Sequence, residues 1–74
     1  MLKTCVIGMG PIGNIHSTMY KEDELANFAA VCDWNKERAD AGAAKFGVKA
    51  YYDVQTMLEA ERPDVVSVTT GGHE

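Results

Sequence analysis

Apolar and polar positions divide the chain into short continuous apolar runs and longer stretches of helical spacing. Leu2 to Ile7 is rich in apolar and β-branched residues and ends at Gly8, which predicts a strand buried on both faces. From Pro11, a residue suited to a helix's first turn, Ile12, Ile15 and Met19 recur at helical spacing, the pattern of a packing face; this helix is expected to stop near Glu22-Asp23-Glu24. Phe28 to Cys32 reads as a second buried strand closed by Asp33. Asn35 then caps a second helix with Ala39, Gly42, Ala43 and Phe46 on one face and Gly47 as its left-handed stop. Lys49 to Tyr52 predicts a brief edge strand, and Asp53 caps a third helix whose apolar stripe is Val54, Met57 and Leu58. Pro63 forbids that helix from continuing, and Val65 to Thr69 predicts a fourth strand.

Strands and helices thus alternate, β-α-β-α-β-α-β, with no hairpin signal, so the expected fold is α/β: a parallel sheet with helices on both faces. The crossover rule and a glycine turn after the first strand favour the spatial order 3-2-1-4, half of a doubly wound, Rossmann-like sheet. In that order the fourth strand has an apolar outer edge where a fifth would normally lie, and the chain reads as a truncated domain.

Composition narrows the function. Seventy-four residues, 46% hydrophobic and 24% charged, make one globular domain with a thin core, too short for a two-domain enzyme. Such a chain is expected to be a fragment or to assemble as a homo-oligomer. The net charge of -4 argues against a nucleic-acid partner, and no apolar run is long enough for a membrane span or a signal peptide. Only Lys3 is charged among residues 1–20, so a ligand near the N-terminus must be held by backbone. Cys5 and Cys32 lack metal-ligand spacing and fall in interior strands; they read as reduced thiols behaving as small hydrophobes, which implies a cytoplasmic setting.

Chemistry concentrates in Gly8-Met9-Gly10-Pro11-Ile12-Gly13, a G-x-G-x-x-G between a predicted strand and a predicted helix. Gly8 permits the tight turn, Gly10 lets backbone approach a pyrophosphate, and Gly13 lets the helix pack on its strand. Pro11 has no amide, which leaves Ile12 and Gly13 as amide donors at the helix start. No Lys-Ser or Lys-Thr follows, so the phosphate loop of nucleoside triphosphatases is excluded. Asp33, twenty residues after Gly13, sits where a carboxylate accepts from both ribose hydroxyls of adenosine and repels a 2′-phosphate, favouring NAD over NADP. Its bland alternative is a turn or capping aspartate. Arg38 could answer a 2′-phosphate or be a solvated helix charge, and Trp34 could lie on the adenine or cover the sheet end. Thr69, Thr70 and Gly71 follow the fourth strand at the end where such sheets bind ligands, with an ordinary terminus as the alternative. Neither His16 nor His73 has a partner to tune it, and no catalytic or metal-binding residue is assigned.

Taken together, Val6-Ile7-Gly8-Met9-Gly10-Pro11-Ile12-Gly13 with His16, Val31-Cys32-Asp33 before Asn35-Lys36-Glu37-Arg38-Ala39, and Pro63-Asp64-Val65-Val66-Ser67-Val68-Thr69-Thr70 resemble the Gfo/Idh/MocA oxidoreductases, relatives of glucose-fructose oxidoreductase and inositol dehydrogenase. The resemblance spans the chain but only the first half of that family's cofactor domain. It implies that the glycine loop, with Ile12, holds the pyrophosphate. Asp33 and Trp34 would then meet the ribose, and Thr69, Thr70 and Gly71 would line the cofactor. Many relatives have Pro-Asn where this chain has Gly71-Gly72, so that asparagine contact is not carried over. The family's catalytic lysine, in a Glu-Lys-Pro motif, would lie beyond Glu74. The implied activity is hydride transfer between a nicotinamide and a sugar, cyclitol or similar polyol, with this chain alone inactive. The other class of reading is a nucleotide-binding or regulatory module that self-associates through its open edge without redox chemistry.

Overall fold

The computed structural model describes residues 1–69. Its elements are β1 (Leu2–Ile7), α1 (Pro11–Glu22), β2 (Ala26–Cys32), α2 (Lys36–Phe46), β3 (Lys49–Tyr51), α3 (Val54–Glu61) and β4 (Val65–Val68). All strand pairs are parallel and the order is β3-β2-β1-β4, as the alternation predicts. Side chains close two helices: Asn35 Oδ1 accepts from the Arg38 amide at 3.2 Å, and Asp53 Oδ2 accepts from the Thr56 amide at 2.9 Å. Gly47 ends α2 at φ 68°, in the left-handed conformation expected of it. Arg62 ends α3 in the same region at φ 46°, one residue before Pro63.

The sheet is covered on both faces. Against α1 and α2 lie Val6, Met9, Phe28, Val31 and Phe46; against α3 lie Cys5, Ile7, Ala30, Cys32 and Met57. Phe28 and Val31 share a face although they are three positions apart, which strict alternation forbids. A bulge explains it: Thr4 pairs with Phe28 but Cys5 pairs with Ala30, so Ala29 is the extra residue and the side-chain parity flips there. Both cysteines are buried and unbridged. Burial, and secondarily Glu61, pushes the Cys5 thiol up to about 11; burial, then Asp33 and Asp53, raises Cys32. These thiols are packing atoms, as their strand positions imply.

Two helix faces differ from the sequence pattern. In α1 the buried residues are Gly13 and Ser17, while Ile12, Ile15 and Met19 stand 57, 59 and 63% exposed. The approach of α1 to the sheet is set by its smallest side chains, because Gly13 must lie against the glycine turn, and that choice rotates the apolar stripe outward. In α3 only Met57 of the expected stripe is buried; Val54 and Leu58 stay exposed. β2 begins two residues earlier than Phe28, and β3 and β4 each stop one residue short of the predicted ends.

At the strands' amino ends a buried carboxylate clips the sheet to α3. Glu61 pairs with Lys3 Nζ at 3.1 Å and Lys49 Nζ at 3.7 Å, and accepts from the Tyr51 hydroxyl at 2.5 Å. The hydroxyl bond, with the lysines, holds the Glu61 carboxyl below its ordinary value, and the same bond, with burial, pushes the Tyr51 phenol up to about 12. A carboxyl lowered on folding stabilises the fold above its unfolded pKa, ordinarily 4.5, and that contribution fades as pH falls through the lowered value. Tyr51→Phe is therefore expected to cost about 1 kcal/mol at neutral pH. It should also shift the acid limb of the stability curve toward the ordinary carboxylate range, as measured by urea unfolding between neutral and acid pH.

Candidate functional site

The carboxyl ends of β1, β2 and β3 are laced together by main-chain bonds. The Gly8 amide donates to the Cys32 carbonyl at 2.7 Å and the Asp33 amide to the Tyr51 carbonyl at 3.0 Å. On the other side of β1, the Thr69 amide donates to the Ile7 carbonyl at 2.9 Å. The glycine turn rises from this edge, and its three glycines meet three different constraints. Gly8 has φ 92°, a conformation side chains rarely adopt. Gly13 has no room: a Cβ there would lie 1.8 Å from the Gly8 carbonyl oxygen. Gly10, with ordinary φ, has nothing among the described residues within 4 Å of the same added atom, so its free side faces open space there.

The Gly8–Met9 peptide is gripped at both ends. Its N–H, from Met9, donates to Asp33 Oδ2 at 2.9 Å, and its carbonyl accepts from the Thr69 hydroxyl at 2.7 Å. The other Asp33 oxygen accepts from the Asn35 amide at 2.9 Å, so the turn-aspartate reading of Asp33 holds in this structure. Each carboxylate oxygen has taken one donor and keeps a further lone pair. The Asp33 residue is only 5% exposed. The Met9 side chain anchors the turn from below: it is buried, its Sδ lies 3.6 Å from the Ser17 hydroxyl, and it fills the space beside Gly42 of α2. Gly42 is thus small to admit Met9.

Above this edge α1 starts at Gly10 with no side-chain cap, in contrast to α2 and α3. Its first turn bond runs from the Asn14 amide to the Gly10 carbonyl at 3.0 Å, and Pro11 has no N–H. The amides of Ile12 and Gly13 precede that bond, so α1 itself provides them with no acceptor. Orphan donors at the positive end of a helix, next to a backbone with no Cβ, form a receptor for an anion. Beside it lies an open cleft of about 630 Å³ lined by Ile7, Asp33, Trp34, Tyr52, Val54 and Val68 among others. Trp34 is 83% exposed, so it does not cover the sheet end. Tyr52 is held at the rim, its hydroxyl 2.5 Å from Asp40 and its ring 5.1 Å from the Lys36 ammonium. Arg38 is exposed on α2, and His16 is half-buried on α1.

The structure therefore gathers Gly8, Gly10, Pro11, Ile12, Gly13, Asp33, Trp34 and Thr69 at one edge. Thr70 and Gly71, with Gly72 and His73, lie outside the described residues. Sequence pattern alone gives no role to Met9, Asn14 or Tyr52, whose parts depend on neighbours far along the chain. No group of three or more His, Cys, Asp or Glu side chains suited to a metal occurs among the described residues, and no described helix is long and apolar enough to cross a membrane.

Residues 2–74 match the model of an oxidoreductase family with an NAD-binding Rossmann fold, Gfo/Idh/MocA. The chain is 38% identical over 69 residues to D-glucoside 3-dehydrogenase of Escherichia coli (strain K12), an alignment covering 90% of this chain and 20% of that protein. Among solved structures it is similar to a probable dehydrogenase from Thermotoga maritima, with 35% identity, a TM-score of 0.86, and coverage of 95% of this chain and 21% of that one. It is also similar to myo-inositol dehydrogenase from Lactobacillus casei in complex with NAD(H) and myo-inositol, with 31% identity, a TM-score of 0.84, and coverage of 97% and 22%. The chain spans about a fifth of the length of these relatives.

The glycines allow a sharp contrast. Gly10→Ala should leave stability within about 0.5 kcal/mol, whereas Gly13→Ala should cost about 3 kcal/mol or more, since backbone must move to admit the methyl. Urea unfolding of the two variants checks both.

Proposed function

Because this chain belongs to the Gfo/Idh/MocA oxidoreductases, we propose that it holds the adenosine and diphosphate half of NAD in a dehydrogenase acting on a hydroxyl carbon of a sugar, cyclitol or similar polyol. One observation carries the reading: α1 begins uncapped at Gly10, beside open space, at the carboxyl edge of the sheet, while the other two helices are capped by their own side chains. The amides of Ile12 and Gly13 take the diphosphate, and Gly10 lets it come close. Asp33 accepts from the ribose hydroxyls through the lone pairs that the Met9 and Asn35 amides leave free, and its charge disfavours a 2′-phosphate. Trp34 and Tyr52 border the cleft in which the adenine lies, and Thr69, continued by Thr70 and Gly71, borders the cofactor beyond β4. When bound, the nicotinamide supplies the hydride acceptor or donor. This chain's residues contribute placement; those that handle the substrate's proton belong to the remainder of a full-length dehydrogenase. The substrate class rests on the activities of the relatives, a D-glucoside 3-dehydrogenase and a myo-inositol dehydrogenase.

Binding separates from turnover, so the test is a titration. Trp34, the single tryptophan, reports from beside the ribose position. NAD and ADP-ribose should bind saturably, and Asp33→Asn should weaken both about tenfold and narrow the preference for NAD over NADP. No fluorescence or amide-shift response to millimolar ADP-ribose would defeat the reading, and an unchanged NAD to NADP ratio in Asp33→Asn would remove that residue from the ribose.

A further inference from the structure

We infer that Asn14, braced by Lys45 of α2, is a positioning residue that aims the Gly10 amide at the diphosphate, an inference that rests on the dinucleotide reading above. Asn14 Nδ2 donates to the Met9 carbonyl at 3.2 Å and to the Gly10 carbonyl at 3.1 Å. Its Oδ1 accepts from Lys45 Nζ at 3.3 Å. The lysine fixes which way the side-chain amide faces, because the flipped amide would set its NH2 against an ammonium and its oxygen against two carbonyls.

A planar trans peptide carries its carbonyl and its N–H on opposite sides. The Met9 carbonyl shares a peptide with the Gly10 N–H, so holding the oxygen against α1 directs that N–H away from the helix. Gly10 has no side chain to restrain it, and a turn free to rotate there would present carbonyl oxygens, which repel an anion, as readily as donors. The preceding peptide is already fixed at both ends by Asp33 and Thr69; Asn14 fixes the next one. Helix propensity gives no reason for asparagine in this first turn, where alanine or leucine would serve better. Its side-chain bonds go to the Met9 and Gly10 carbonyls of the turn and to Lys45, while its backbone carbonyl accepts from the Thr18 hydroxyl at 2.9 Å.

Asn14→Leu keeps the branching at Cγ and raises helix propensity at a part-buried position, so the chain should fold, as circular dichroism and urea unfolding would report. ADP-ribose and NAD should then bind about tenfold more weakly, while adenosine, which lacks the diphosphate, keeps its affinity within about twofold. The Gly10 amide resonance should move. Lys45→Met should cause a smaller loss of about threefold that Lys45→Arg restores and that disappears in the Asn14→Leu background, since the lysine acts through the asparagine. Unchanged ADP-ribose affinity in Asn14→Leu, or parallel loss of adenosine and ADP-ribose, would overturn the positioning role while leaving the dinucleotide reading intact. A Lys45→Met effect that persists without Asn14 would overturn the brace. Failure of the unmutated chain to bind NAD or ADP-ribose would defeat the dinucleotide reading itself, and the positioning role with it.

Discussion

One peptide group governs the architecture of this chain: the plane joining Gly8 to Met9. Its N–H enters a buried carboxylate on the end of β2 and its carbonyl meets a hydroxyl at the end of β4. Three strands are thereby referred to a single rigid plane. The positive φ of Gly8 turns the chain out of β1, and the contact between Gly13 and the Gly8 carbonyl fixes how closely α1 approaches. A buried carboxylate stripped of these amides would pay its full desolvation cost, so Asp33 and the glycine turn stabilise one another. The uncapped start of α1 beside the turn follows from this placement.

That close approach determines what the rest of α1 can do. With Gly13 and Ser17 toward the sheet, the first turns of the helix pack through small side chains, Tyr20 packs on Phe28 further along, and the space near the turn is filled by Met9, which reaches Gly42 on α2. Ile12, Ile15 and Met19 are displaced to the surface as a consequence. The site is thus built at some expense to burial: the helix leaves Ile12, Ile15 and Met19 exposed so that its amino end can stand over the turn.

The two ends of the sheet divide the labour. At the amino end the Glu61 carboxylate is engaged by Lys3, Lys49 and the Tyr51 hydroxyl, a clip joining β1, β3 and α3. At the carboxyl end, polar groups have capacity left over: the buried Asp33 oxygens, each with one donor taken, and the first amides of α1, beside the rim of Trp34 and Tyr52. A satisfied network stabilises, whereas unused donors and acceptors remain open to a partner.

The sequence by itself determined the element order, the strand order, both side-chain caps, the Gly47 stop and the roles of Gly8 and Gly13, because each depends on short-range sterics or on alternation that residues a few positions apart can express. It also pointed to the carboxyl edge of the sheet, where the structure gathers the glycine turn, Asp33 and Thr69, since a G-x-G-x-x-G between strand and helix has few uses. Tertiary structure alone decided the rest. The Ala29 bulge, which puts Phe28 and Val31 on one face, arises from pairing with β1. The burial of Gly13 and Ser17 in place of the isoleucines arises from a contact that periodicity does not encode. Asp33 accepts from Met9, and Asn14 from Lys45, across 24 and 31 residues of chain. Hydrogen bonds of that separation leave no periodic trace in the sequence, because only the completed sheet brings their partners within reach.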